Sequence, residues 1–121
     1  MNLFVYGTLR KEGSLSSRMS SAKYLGTFKT APIYKLWDCG CPCLDNEGTI
    51  AVTGEIYQCE DMSSFMPILT MEVNAGYTFG SVFIPNFPED VFAFFQTPRD
   101  GMYKREIPYG DWIEYHKYIL G

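Results

Sequence analysis

The chain opens with an apolar run, Leu3–Tyr6, that is cut off by Gly7 and then by Thr8, Leu9 and the charged pair Arg10–Lys11. A short run rich in aromatic and β-branched residues predicts a buried strand. Gly7 after it either lets the backbone turn as a Cβ would not allow, or lets another group come close. The N–H groups that leave such a strand lose their ladder partners and need others. A tight turn after a core strand and a loop that offers donors to a ligand are both open on these residues. Further along, Leu15, Arg18, Met19 and Ala22 recur at helical spacing behind Ser14, predicting a short helix or helical turn. Tyr24–Thr30 has strand composition, with Gly26 suggesting a bulge. Pro32–Trp37 reads as another extended piece, and the residues from Cys39 to Gly48 read as loop and turn.

Thr49–Cys59 is the clearest strand: Ile50, Val52, Gly54, Ile56 and Gln58 fall on one side, Ala51, Thr53, Glu55 and Tyr57 on the other. Glu55, in mid-strand, is either solvated or functional. Glu60–Ser64 supplies acids and hydroxyls suited to a helix start, and Phe65, Ile68, Leu69 and Glu72 continue at helical spacing to Asn74-Ala75-Gly76. Pro67 predicts either a helix starting near Ser64, with Pro67 in its first turn, or two helical pieces. Tyr77–Ile84, interrupted at Gly80, and Val91–Thr97 read as strands. Trp112–Leu120 reads as a C-terminal helix capped by Asp111, with Trp112, Tyr115, Ile119 and Leu120 on its apolar stripe. Short strands with few helices predict an α+β fold with a curved, mixed or mostly antiparallel sheet, a small barrel being one form of it.

Composition narrows the function. The 121 residues predict one domain with a real core, and 17% aromatic content predicts a core built on large rings. A net charge of −4 argues against binding nucleic acid, which needs clustered Lys and Arg. No run approaches the roughly 20 apolar residues of a membrane helix, and the N-terminus does not have the pattern of a secretory signal, so a cytoplasmic protein is expected. Cys39, Cys41 and Cys43 alternate, but they do not match the paired spacing of zinc sites, and His116 is the chain's one histidine. Buried thiols acting as small apolar groups are the favoured reading, with a thiol metal site as the weaker alternative. Nucleophile elbows, phosphate loops and dinucleotide fingerprints are absent from the sequence. What remains is Glu72 among Leu69, Met71 and Val73, either a solvated carboxylate at a helix end or a desolvated one able to act as a base.

Several segments together carry a resemblance. Leu3-Phe4-Val5-Tyr6-Gly7-Thr8-Leu9-Arg10 resembles the opening motif of the γ-glutamylcyclotransferase-like superfamily, which includes AIG2-like proteins and γ-glutamylamine cyclotransferases. Tyr24-Leu25-Gly26, Pro42-Cys43-Leu44, Val52-Thr53-Gly54-Glu55-Ile56-Tyr57, Glu72 and Ile107-Pro108-Tyr109-Gly110-Asp111-Trp112 resemble further family segments, in the same order. The resemblance implies a small mixed barrel with two or three short helices packed on it, and it puts Pro42–Leu44 on a strand. It implies substrate binding by the Tyr6, Gly7, Thr8 and Leu9 loop, Glu72 as general base, and Glu55 as a second, less usual acid. The implied reaction is cofactor-free cyclisation of a small γ-glutamyl amine or γ-glutamyl amino acid to 5-oxoproline, releasing the amine. Around the base the family pattern is Leu-Asp-x-x-Glu-Gly, where this chain has Leu69 and Val73 in place of the Asp and the Gly, and the family's Tyr-x-Arg on the next strand is absent. A non-catalytic binding module that keeps the pocket, and a thiol-based metal or redox protein, are the other functional classes considered.

Overall fold

In the computed structural model, which describes the backbone of residues 1–120 and the side chains of residues 1–118, β1 (Asn2–Val5) runs through the middle of the larger of two sheets. That sheet also holds β2 (Lys23–Lys29), β5 (Thr53–Gln58), β6 (Thr78–Val82) and β7 (Val91–Phe95), in the order β2-β5-β1-β7-β6. β1 pairs parallel with β7 and antiparallel with β5, and the outer pairs are antiparallel. The smaller sheet is antiparallel: β3 (Tyr34–Asp38) lies between β4 (Pro42–Ile50) and the two-residue β8 (Arg105–Glu106).

Both faces of β1 are buried, so its alternation feeds two cores. Phe4 and Tyr6 join Ile56 and Ala93 against Tyr34, Leu36 and Leu44 of the smaller sheet and Trp112. Leu3 and Val5 join Tyr57 and Phe94 against Phe65 and Ile68 of helix α1 (Met62–Asn74) and against Met19. The predicted α+β class and small mixed architecture are present. Among the described residues the strands form two sheets and not one continuous barrel, and isolated bonds join them, such as the 3.1 Å bond from the Gln96 N–H to the Leu44 carbonyl.

Several local expectations are corrected. Residues 42–48 are strand and not loop, as the family resemblance implied for Pro42–Leu44 alone, because Cys43 and Leu44 are fully buried opposite Trp37 and Leu36. The turn chemistry of Asp45–Gly48 appears instead as a shift in register: Lys35 faces Asp45 while Tyr34 faces Ile50, so residues 46–49 are looped out. The long strand read from Thr49 is interrupted at Ala51–Val52. There the chain passes between sheets, and Val52 exchanges bonds with Thr30, while the Thr53 N–H bonds the Gly110 carbonyl at 2.8 Å. The bulge expected at Gly26 is present, whereas β6 runs through Gly80 without a break.

Ser16–Met19 makes a single 3-10 turn, and the residue capping it is Leu15, with no side-chain bond from Ser14. α1 is one continuous helix with Pro67 inside it, so neither expected arrangement holds. The missing proline N–H leaves the Ser63 carbonyl without its helical donor, but both residues are exposed to water there. The Asp61 carboxylate caps the start by accepting from the Ser63 N–H at 2.9 Å, and buried Phe65 and Ile68 hold the inner face. At the C-terminus, α2 (Trp112–Tyr115) is one α-turn capped by Asp111 and followed by π-helical backbone over His116–Leu120. The side chains of Ile119 and Leu120, expected on the apolar stripe, lie outside the described residues.

Candidate functional site

The end of β1 is fixed by a neighbour rather than by an unusual backbone. A Cβ on Gly7 would lie 2.3 Å from Cγ of Pro42, a separation that real side chains do not adopt. Of the two reasons the sequence allowed for this glycine, close approach is the one realised. The chain then folds back on itself: Arg10 N–H bonds the Gly7 carbonyl at 3.0 Å, and Leu15 N–H bonds the Thr8 carbonyl at 2.8 Å. These bonds use the carbonyls and leave the opposite side of the peptides outward. Among the described residues, the N–H groups of Gly7, Thr8 and Leu9 have no protein acceptor. Unpaired N–H groups beside a cleft suit an anionic or carbonyl oxygen.

Behind the loop, Glu55 is buried, which corrects the solvated alternative. One carboxylate oxygen accepts from Arg10 Nε at 2.8 Å and the other from the Lys11 N–H at 2.6 Å. Arg10 also reaches Asp111 at 2.9 Å. Glu55 is thereby committed to holding the loop, and its role as a second acid is not supported by this geometry.

Glu72 arrives from the last turn of α1, whose ending fixes its position. Gly76, at φ +95°, takes the left-handed conformation that closes a Schellman motif: Gly76 N–H bonds the Val73 carbonyl at 3.0 Å and Tyr77 N–H bonds the Glu72 carbonyl at 3.0 Å. Glu72 and Tyr77 are thus tied through one backbone bond and enter the cleft together. The structure brings all five sequence-predicted site residues, Tyr6, Gly7, Thr8, Leu9 and Glu72, around one narrow cleft with a cavity volume of about 40 Å³. Phe4, Val5, Pro42, Tyr77 and Phe94 complete the walls. Sequence reasoning did not assign these five to the site; for Tyr77, its place directly after the helix-ending Gly76 was the available signal.

Both tyrosines are locked by their hydroxyls. Tyr6 donates to the Phe94 carbonyl and Tyr77 to the Pro42 carbonyl. Burial pushes both phenols above their usual range, so they remain protonated donors. Partial burial also raises the Glu72 carboxyl above the ordinary glutamate value, with the positive charge of Arg18 acting in the opposite direction. A carboxyl so placed is easier to protonate near neutral pH than a solvated one, as a proton-transfer group requires.

The four cysteines are free. Cys43 Sγ lies 4.0 Å from Cys41 Sγ and 3.4 Å from Gln96 Oε1, and burial raises the Cys39, Cys43 and Cys59 thiols. Among the described residues, no group of three His, Cys, Asp or Glu side chains is arranged to hold a metal ion.

Gly7→Ala tests the packing of the cleft. Pro42 pairs with Asp38 of β3 and its carbonyl accepts from the Tyr77 hydroxyl, so the backbone that carries the ring is held. We expect a loss of about 1–3 kcal/mol, read as a lower denaturant midpoint. An unchanged midpoint would show that the contact relaxes freely.

Comparison with known proteins bears on this arrangement. The family model described as "Gamma-glutamyl cyclotransferase, AIG2-like" matches residues 3–114. A Vibrio cholerae protein named "Putative gamma-glutamylcyclotransferase" is 29% identical over 112 residues, covering 93% of this chain and 95% of that one. The crystal structure of c4763, a uropathogenic E. coli-specific protein, superposes with a TM-score of 0.79 at 27% identity, covering 98% of this chain and 96% of the other. Allophanate hydrolase of Kluyveromyces lactis shares the fold over 98% of this chain and 21% of its own, with a TM-score of 0.83 at 23% identity. With the family model spanning both the Tyr6–Leu9 loop and Glu72, the chain belongs to the gamma-glutamyl cyclotransferase, AIG2-like family.

Proposed function

We propose that the protein is a cofactor-independent cyclotransferase that converts a γ-glutamyl amine or γ-glutamyl amino acid to 5-oxoproline, with Glu72 as the proton carrier. The observation that carries this reading is the shared cleft: a carboxyl of raised pKa stands across from three unpaired loop N–H groups. The substrate's α-ammonium gives a proton to Glu72 and becomes nucleophilic. Its nitrogen then attacks the γ-carbonyl carbon, forming the C–N bond of a five-membered ring. The oxyanion that develops accepts from the N–H groups of the Gly7–Leu9 loop. Collapse breaks the original amide C–N bond, and the two protons lost by the attacking nitrogen, one of them carried by Glu72, end on the departing amine. No water is consumed.

Because nucleophile and electrophile belong to one molecule, fixing the glutamyl rotamer supplies much of the rate. A cleft of about 40 Å³ is little larger than the volume of one water, about 30 Å³, and so takes the reacting carbonyl while the rest of the substrate lies outside it. Incubation with a panel of γ-glutamyl amines and γ-glutamyl amino acids, followed by an assay for 5-oxoproline, tests the reading. Turnover of at least one compound is expected. Binding without turnover across the panel would instead favour a non-catalytic module, the reading suggested by Leu69 and Val73 standing where the family has Asp and Gly.

A further inference from the structure

A second and much larger cavity, about 740 Å³, has a lining that is chemically one-sided. Arg99, Gln96, Asn46, Thr78 and Ser81 supply donors, and Phe95 supplies an apolar surface. No Asp or Glu lines it, in a chain whose net charge is −4. Among the described residues Arg99 has no ion-pair partner. A guanidinium in an acid-free groove of an acidic protein is suited to a carboxylate, which it can hold with two parallel bonds.

The groove is coupled to the cleft at two points. Gly76 lines the groove, and the next residue, Tyr77, lines the cleft. Gln96 lines the groove, and its amide oxygen lies 3.4 Å from the thiol of Cys43, adjacent to the cleft residue Pro42. The Gln96 amide nitrogen also donates to the Ala75 carbonyl at 3.3 Å, and its backbone N–H bonds Leu44, so this dividing residue is fixed. The cleft is too small for a whole substrate, and this groove is the adjacent space of sufficient size.

We propose that the Arg99 groove receives the leaving group of the substrate and binds its carboxylate, so that γ-glutamyl amino acids and peptides are preferred over γ-glutamyl amines. This rests on the cyclotransferase reading, but it can fail separately. Arg99 acts here as a specificity residue, remote from the reacting atoms.

The test uses γ-glutamylalanine and γ-glutamylethylamine, which differ by one carboxylate. The wild-type protein is expected to favour γ-glutamylalanine in kcat/KM by about 10- to 100-fold, the effect of a charge-assisted hydrogen bond. Arg99→Ala should remove that preference while leaving γ-glutamylethylamine turnover within about twofold, and Arg99→Lys should restore part of it. Equal wild-type turnover of the two compounds, or an equal loss on both in Arg99→Ala, overturns the proposal. If neither compound yields 5-oxoproline, the wider panel decides the cyclotransferase reading, and calorimetric binding of the same pair decides the groove. Tighter binding of γ-glutamylalanine that Arg99→Ala abolishes supports a carboxylate site, and indistinguishable binding overturns it.

Discussion

Glu72→Gln is expected to lower turnover of the best γ-glutamyl substrate by about 10²–10⁴-fold, the usual contribution of a positioned acid–base group. Glutamine keeps the size of the side chain and its place above the Gly7–Leu9 loop but cannot take the ammonium proton. The loss should therefore fall on kcat, with a smaller change in KM. Undiminished activity in this variant would remove Glu72 from the mechanism and leave the loop donors as the only assigned part of the site.

The same substitution should not destabilise the protein, and this separates a chemical loss from a folding defect. Burial raises the folded-state pKa of Glu72 above its unfolded value. Between those two values the folded protein binds more protons than the unfolded one, so the Glu72 contribution to stability falls as pH rises through that window. Above the window the ionised, partly buried carboxylate is a net cost, which the neutral amide does not carry. Glu72→Gln is thus expected to have a Tm at pH 7.5 equal to or above that of the wild type. The pH–rate profile should lose activity on an acid limb lying above the ordinary glutamate range, and Arg18→Ala should move that limb further up, since the Arg18 charge favours the ionised form. An acid limb unmoved by Arg18→Ala would mean that another group controls the rate.

How the site could be read from sequence differs between its two halves. The Tyr6–Leu9 loop was legible because β1 is short, apolar and ended by a glycine, and each of those features has a local cause. That Gly7 is there for Pro42 was not legible, since it depends on a strand 35 residues away whose composition reads as turn. Residues 39–48 misled for the same reason: Pro, Gly, Asp and Asn favour turns locally, yet burial of Cys43 and Leu44 against β3 outweighs that preference. Glu72 was legible as a helix-end acid, while its burial came from packing that periodicity does not report. Pro67 shows the limit from the other side. The rule against proline within a helix is local, and in α1 it yields to a side-chain cap and a buried face. Glu55 is the sharpest case, because a carboxylate in mid-strand gives no sign of its partner. Arg10 lies in the opening motif and Asp111 near the C-terminus, and only the fold joins them.

That triad sets the second large effect. Glu55→Ala is expected to cost about 3–5 kcal/mol, because it leaves a buried guanidinium with half its partners and the Lys11 N–H with none. For a chain of this length that corresponds to a fall in Tm of roughly 10–20 °C. Glu55→Gln should cost less, since its amide oxygen can still accept from one of the two donors. The double variant Arg10→Met with Glu55→Met separates the worth of the pair from the cost of breaking it. With both charges removed the loss should be well below that of Glu55→Ala, giving a coupling energy of about 1–3 kcal/mol in the cycle. The consequence for activity differs in kind. Arg10 and Lys11 follow directly after the donor loop, so Glu55 sets where the Gly7–Leu9 N–H groups point. Whatever Glu55→Ala remains folded at low temperature should turn over substrate more slowly, while the Met pair, even if stable, should not recover full rate. A Glu55→Ala variant that melts within 2 °C or so of the wild type, against the roughly 10–20 °C expected, would show that Asp111 alone anchors Arg10 and that the loop does not depend on β5 for its position.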